Sequence, residues 1–180
     1  MNYILGDYIL RRPELTDLEA FYVQKNDPEI ATLLGGFTLG YAMADLRDWL
    51  EYHRKRNDEV IWAIVEKARE KCVGHVGLYQ IDHRIRDAEF AIMLGDRTVW
   101  GRGLGKACTR LTIDYGFREL NLNRIHLSVL ATNERAIHLY HSLGFQDEGR
   151  LRQAQFKKGQ YIDVVLMSML RSEYEPNAGN

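Results

Sequence analysis

Apolar and polar positions along the chain follow two alternating periods. Short apolar runs predict strands at residues 7–12, 61–65, 73–81, 88–94, 124–130, 145–149 and 161–169. In 124–130 the alternation is clean, with Ile125, Leu127 and Val129 on one face. Longer stretches at helical spacing predict helices over 17–25, 42–56, 103–120 and 133–143. The second of these carries Leu46, Trp49, Leu50 and His53 on one side, and the third carries Ala107, Leu111, Tyr115 and Phe117. Thr16 and Glu19 match a capping box at the first helix, and Asn26-Asp27-Pro28 stops it. Residues 31–41 hold three glycines with Phe37 and Tyr41 and read as a loop, while Gly144 closes the last helix.

The predicted order is therefore β α α β β β α β α β β. Strands 61–65 and 73–81 pair antiparallel around the polar turn 67–71. A βαβ unit (strand to Leu94, helix to Leu120, strand from Arg124) sits within a mostly antiparallel, twisted sheet. The fold class is mixed α+β with flanking helices. No repeat or linker divides the chain, so residues 1–180 read as one domain, with a frayed polar tail over 172–180.

Composition narrows the function little. Net charge is −1, and no run of Lys or Arg suggests a nucleic-acid partner. No apolar run is long enough to span a membrane, and two cysteines (Cys72, Cys108) are too few for a disulfide scaffold. A reduced, cytoplasmic protein is the expectation.

The stretch Trp100-Gly101-Arg102-Gly103-Leu104-Gly105-Lys106 changes the picture more. It joins the strand ending at Leu94 to a helix. A glycine-rich turn there presents free backbone N–H groups at the positive helix end, a device that binds phosphate. A Walker loop needs Gly-x-x-x-x-Gly-Lys-Ser/Thr, which this stretch lacks. A dinucleotide fingerprint needs Gly-x-Gly-x-x-Gly near the first strand of a parallel sheet, whereas here the spacing is Gly-x-Gly-x-Gly at the fourth strand. A pyrophosphate cradle for coenzyme A is the third reading.

At this point the chain resembles the GNAT superfamily of acetyl-CoA-dependent N-acetyltransferases, over nearly its whole length. Gly103 and Gly105 fill the glycine positions of that family's loop, and Trp100 stands where Gln or Arg is usual. Residues 131–145, Ala-Thr-Asn-Glu-Arg-Ala-Ile-His-Leu-Tyr-His-Ser-Leu-Gly-Phe, resemble its second block. Trp-Gly-x-Gly, Glu148-Gly149-Arg150-Leu151 and Tyr161-Ile162-Asp163-Val164 resemble the branch of ribosomal-protein and amino-sugar N-acetyltransferases.

The resemblance implies roles. Backbone groups of Met93 and Leu94 splay from the next strand and hold the pantetheine arm and thioester. Arg102, Gly103, Leu104, Gly105 and Lys106 wrap the pyrophosphate of acetyl-CoA, the co-substrate. Asn133, an N-cap on the residues alone, also contacts the pantetheine arm with Ala136. Tyr140, two turns further along the same face, is the general acid for the leaving thiolate, or else a packed helix aromatic. Glu89 is the general base, directly or through water, with strand alternation leaving its face open. His138 and His141 lack a third partner, so no metal is expected.

The acceptor is expected between the first two helices and the final strand pair, with Phe37, Tyr41 and Trp49 as stacking surfaces. Arg150, Arg152, Lys157 and Lys158 make the last hairpin basic, which suits a nucleotide-linked amino sugar. A protein α-amine fits the same blocks, and Asp27, Glu29, Asp45 and Asp48 keep a polyamine open. The family's habit of pairing implies a homodimer. The rival class is a non-catalytic CoA-binding sensor or scaffold; a weaker one is a nucleotide-binding protein of another fold.

Overall fold

Two N-terminal strands, β1 (Tyr3–Leu5) and β2 (Tyr8–Arg11), form a tight hairpin turning at Gly6, whose φ is +57°. β1 is absent from the sequence reading, because three residues are too few for a period to show. A short 3-10 turn at Leu15–Asp17 then leads into α1 (Leu18–Lys25). The capping here differs from the predicted Thr16–Glu19 box. Asp17 accepts the backbone N–H of Glu14 at 2.8 Å and holds Arg11 through both guanidinium nitrogens at 2.8 and 2.9 Å.

Pro28 does end α1, but it also opens α2 (Pro28–Leu33), inside what reads as loop from the sequence. Asp27 is its N-cap, accepting from Glu29 N at 2.8 Å, and Pro28 sits at the first helical position, where its missing N–H costs nothing. The structure describes residues 2–35 and 40–174, so the expectation for Phe37 lies outside the described residues. α3 follows at Met43–Arg54, with Leu46 and Leu50 buried.

β3 (Val60–Glu66), β4 (Lys71–Asp82) and β5 (Asp87–Leu94) form an antiparallel meander. The α4 helix (Leu104–Arg118) then crosses over to β6 (Arg124–Leu130), which runs parallel to β5. After α5 (Glu134–Leu143), β7 (Gln146–Lys157) and β8 (Gln160–Leu170) close an eight-stranded sheet of order β1-β2-β3-β4-β5-β6-β8-β7. Only the β5–β6 pair is parallel among the described strands.

β3 shows why the sheet is covered on both faces. Trp62 and Ile64 join one apolar cluster with Leu104, Cys108, Ile113 and Phe117 of α4 and Tyr140 of α5. Their neighbours Ala63 and Val65 face the other way and join Leu18, Phe21, Ile30, Leu46 and Leu50 of α1, α2 and α3. A continuous apolar run is what such a doubly buried strand requires. Each fully buried leucine or phenylalanine adds about 1.5–3 kcal/mol. The buried face of α4 also departs from expectation: Leu104, Cys108, Thr109, Thr112, Ile113, Gly116 and Phe117 are covered, while Leu111 and Tyr115 lie at its margin. Thr109 and Thr112 hide their hydroxyls by donating to the carbonyls of Gly105 and Cys108, so a core face passes for a polar one in the sequence.

Candidate active site

The predicted parting of strands is present. Parallel pairing of β5 with β6 covers Asp87 to Glu89 against Arg124 to His126 and stops there. Beyond Glu89 and His126 no pairing joins the two strands, and the rest of β5, with Met93 and Leu94, runs on unpaired with β6. Met93 is buried, and Leu94 is partly covered and packs on the α4–α5 side of the sheet.

Directly past Leu94 the glycine-rich turn bends under local control. Gly101 and Gly103 have φ of +75° and +80°, the left-handed region that glycine enters without strain. Gly103 is the N-cap residue of α4, and no side chain caps that end. The first-turn amides of Leu104, Gly105 and Lys106 therefore point outward without intrahelical acceptors, a ready seat for an anion. Arg102 and Lys106 are exposed beside them, whereas the Leu104 side chain is core. Gly105 sits where β5, α4 and α5 converge, and a Cβ there would make ordinary contact with Leu94 at 3.4 Å and Leu139 at 3.5 Å. Arg135, unremarked in the sequence, stacks its guanidinium 5.3 Å over the Trp100 ring and brings a third cation to the loop.

Asn133 does cap α5, with Oδ1 accepting from Ala136 N at 3.2 Å. Its Nδ2 donates to Leu33 O at 3.2 Å, which ties α5 to the end of α2. Tyr140 is 8% exposed and packs edge-on against Phe90 and Phe145. Burial pushes its phenol up to about 12, so the hydroxyl keeps its proton at neutral pH. Packed aromatic and proton donor are thus compatible descriptions. Both cysteines are buried thiols pushed up to about 12 by burial, unsuited to act as thiolates.

On the other face of the sheet, Glu89 lines a cavity of about 440 Å³ with Gly35, Arg124, His126, Ser128, Glu148 and Gln155 among its walls. The register sets Glu89 in a transverse row. Tyr79 of β4 pairs with Glu89, Glu89 with His126, and His126 with Ser168 of β8. Tyr79 is a phenol raised by burial and by the Glu59 and Glu89 carboxylates. Ser168 Oγ donates to Glu148 at 2.7 Å, Arg124 pairs with both Glu148 and Asp87, and His126 Nδ1 stands 3.2 Å from Asp87 Oδ1. Arg124 and Ser168 hold the Glu148 carboxyl below its usual range. None of Tyr79, Asp87, Arg124 or His126 is singled out by the sequence, because their convergence depends on pairing between strands far apart in the chain.

Several acceptor expectations need correction. Lys157 is not a rim charge; it is buried, and its Nζ donates to Ala31 O at 3.1 Å. Arg150 lies 3.6 Å from Asp163. The Lys25 ammonium stands 5.4 and 5.2 Å from the Tyr41 and Trp49 centroids, and Tyr41 stays 40% exposed. Asp27 and Glu29 are engaged by Arg97, and Asp45 accepts the N–H of Ala42 at 2.7 Å.

A strand pair that parts next to an open helix N-terminus, with a carboxylate-bearing cavity on the far face, suits a phosphate-bearing ligand on one side of the sheet and a second ligand reached from the other. The chain belongs to the acetyltransferase (GNAT) domain family, which matches residues 7–146. It is an acetyl-CoA-dependent N-acetyltransferase. It is 34% identical over 167 residues to the uncharacterized N-acetyltransferase p20 of Bacillus licheniformis, covering 92% of this chain and 93% of that one. Identity to the spermidine N(1)-acetyltransferase of Escherichia coli K12 is 36% over 166 residues, covering 92% and 87%. The spermidine N-acetyltransferase of Vibrio cholerae, solved with CoA and spermine, superposes with a TM-score of 0.85 at 30% identity, covering 94% of this chain and 98% of that one. A dodecameric structure of that enzyme has a TM-score of 0.81 at 28% identity, covering 97% and 100%.

Proposed function

We propose that the chain transfers the acetyl group of acetyl-CoA directly to a primary amine that arrives as a cation, with polyamines the favoured class. The observation that carries this reading is the placement of Glu89 at the last β5–β6 pair, facing the 440 Å³ cavity. The charged lining there is two carboxylates, Glu89 and Glu148, against one guanidinium, Arg124. Such a lining attracts an ammonium and disfavours the anionic nucleotide of an amino-sugar acceptor. The inward turn of Lys157 takes one of the four basic residues behind that amino-sugar expectation off the rim. The similarity to spermidine acetyltransferases supports the polyamine alternative.

In this reading the amides of Gly103 to Lys106, with Arg102 and Lys106, receive the pyrophosphate. The β5 backbone at Met93 and Leu94 and the start of α5 at Asn133 and Ala136 flank the pantetheine arm. Glu89 meets the acceptor ammonium and holds it beside the parting strands. Tyr140 donates a proton to the departing sulfur. The new C–N bond forms as the C–S bond breaks, with no acyl-enzyme.

Thiol release from acetyl-CoA is measured against spermidine, a peptide α-amine and a nucleotide-linked amino sugar. Spermidine turning over fastest is the expected result, and Glu89→Gln is expected to raise its KM about tenfold while sparing that of acetyl-CoA. Preference for the amino-sugar nucleotide would sink the acceptor assignment. CoA binding without turnover on any amine would instead favour a sensor or scaffold.

A further inference from the structure

We infer that the Asp87–His126 pair is the proton acceptor that completes this reaction, taking the proton from the acceptor ammonium at Glu89. The inference rests on the reading above and adds a catalytic residue to it. His126 is the cross-strand partner of Glu89 in the final pair before β5 and β6 separate, so the two side chains leave the sheet side by side on one face. Both line the 440 Å³ cavity. The imidazole is one-third exposed, which gives it both a fixed seat and access to the cavity.

The seat is specific. His126 Nδ1 lies 3.2 Å from Asp87 Oδ1 and 3.1 Å from Oδ2. A carboxylate only accepts, so in the neutral imidazole Nδ1 carries the hydrogen and Nε2 the lone pair. Asp87 is itself fixed by Arg124 Nη1 at 2.8 Å, and Arg124 is shared with Glu148, which also takes the Ser168 hydroxyl. The groups facing His126 are therefore Asp87 and Glu89 from β5, Arg124 from its own strand, Glu148 from β7 and Ser168 from β8. A carboxylate that orients an imidazole for proton transfer is a recurring catalytic arrangement.

The balance closes with the components named. The acceptor R–NH3⁺ gives one proton to Nε2, directly or across Glu89 and water, and the resulting amine attacks the thioester carbon. The C–S bond breaks, and the sulfur takes a proton from Tyr140. Tyr140 is restored by the second proton lost from nitrogen as the amide forms, and the imidazolium releases its proton to solvent.

The test is steady-state turnover of spermidine by the full chain and its variants from about pH 6 to about pH 10, approaching the range where free amines deprotonate themselves. H126Q is expected to lose about a hundredfold in kcat at neutral pH with the acetyl-CoA KM unchanged, and the deficit should close toward alkaline pH. Added imidazole should restore H126A saturably, and D87N should lower kcat less than H126Q does. Turnover of H126Q within about threefold of wild type at neutral pH would overturn the assignment, since general-base loss costs far more. So would a deficit that is constant with pH and indifferent to imidazole, the mark of a purely structural role. A wild-type chain that binds CoA but acetylates no amine removes the functional reading and this assignment together, whereas activity with an unaffected H126Q removes only the latter.

Discussion

The indole N–H of Trp100 donates to the carbonyl of Leu94 at 2.8 Å, and so ties the glycine-rich loop to the end of β5. A single contact thereby couples the open N-terminal amides of α4 to the end of β5. It also gives the tryptophan a duty that a shorter side chain cannot perform from the same position. Trp100→Phe keeps the ring under Arg135 but leaves the Leu94 carbonyl without this donor. Loss of about 1–2 kcal/mol of stability is expected in calorimetry, together with a several-fold rise in the KM for acetyl-CoA. An unchanged KM would show that the loop holds its shape without the tie.

Tyr140→Phe removes a hydroxyl and little else, because the ring is held by Phe90 and Phe145. Turnover should fall by about two to three orders of magnitude while CoA affinity by calorimetric titration stays the same. Since burial keeps this phenol protonated to about 12, it should add no limb to the pH profile below pH 10. Turnover equal to wild type would take Tyr140 out of the chemistry.

Gly74 lies where β4 passes the end of β5. A Cβ at this position would stand 2.0 Å from the Met93 carbonyl oxygen and 3.0 Å from Leu94 Cα, all of it backbone that cannot rotate away. Gly74→Ala should cost about 3 kcal/mol in denaturant unfolding and shift the strand edge at Met93 and Leu94. CoA binding is therefore expected to weaken in protein that remains folded. Normal affinity in the folded variant would separate the strand edge from cofactor binding.

His75 lies on the α1–α3 side of the sheet and should make stability depend on pH. It is packed against Phe21 and Trp49, its Nδ1 has no hydrogen-bond partner among the described residues, and burial, with Lys25 and His53 nearby, lowers it from 6.5 to about 3. Between those values the unfolded chain binds a proton that the folded chain refuses. Stability is therefore complete above about pH 6.5 and declines as pH falls toward 3, by up to about 1.4 kcal/mol per unit. Urea unfolding of wild type and His75→Phe at pH 7 and 5 checks this. Parallel losses in the two proteins would exclude His75 as the source.

Much of the architecture is legible because its signals are local. The 124–130 strand alternates cleanly, Asn133 and Gly144 bracket α5 at the predicted residues, and Gly103 occupies a backbone angle that suits glycine. The errors are local as well. Pro28 serves equally as the end of one helix and the first residue of the next, and six residues of α2 show too little period to decide between them. Thr109 and Thr112 disguise a buried helix face because their hydroxyls are satisfied within the helix.

By itself, the sequence determined the βαβ unit, the glycine-rich turn and the order of the blocks that mark the family, since each depends on residues near one another in the chain. Only the tertiary structure decided what lines the cavity at Glu89. The row Tyr79–Glu89–His126–Ser168 comes from four strands brought into register, and Lys157 leaves the surface because α2 offers it a carbonyl. Register and long-range hydrogen bonding are properties of the closed sheet. No local pattern carries them, and so the glycine-rich turn and α5 can be read from the chain while the lining of the cavity required the fold.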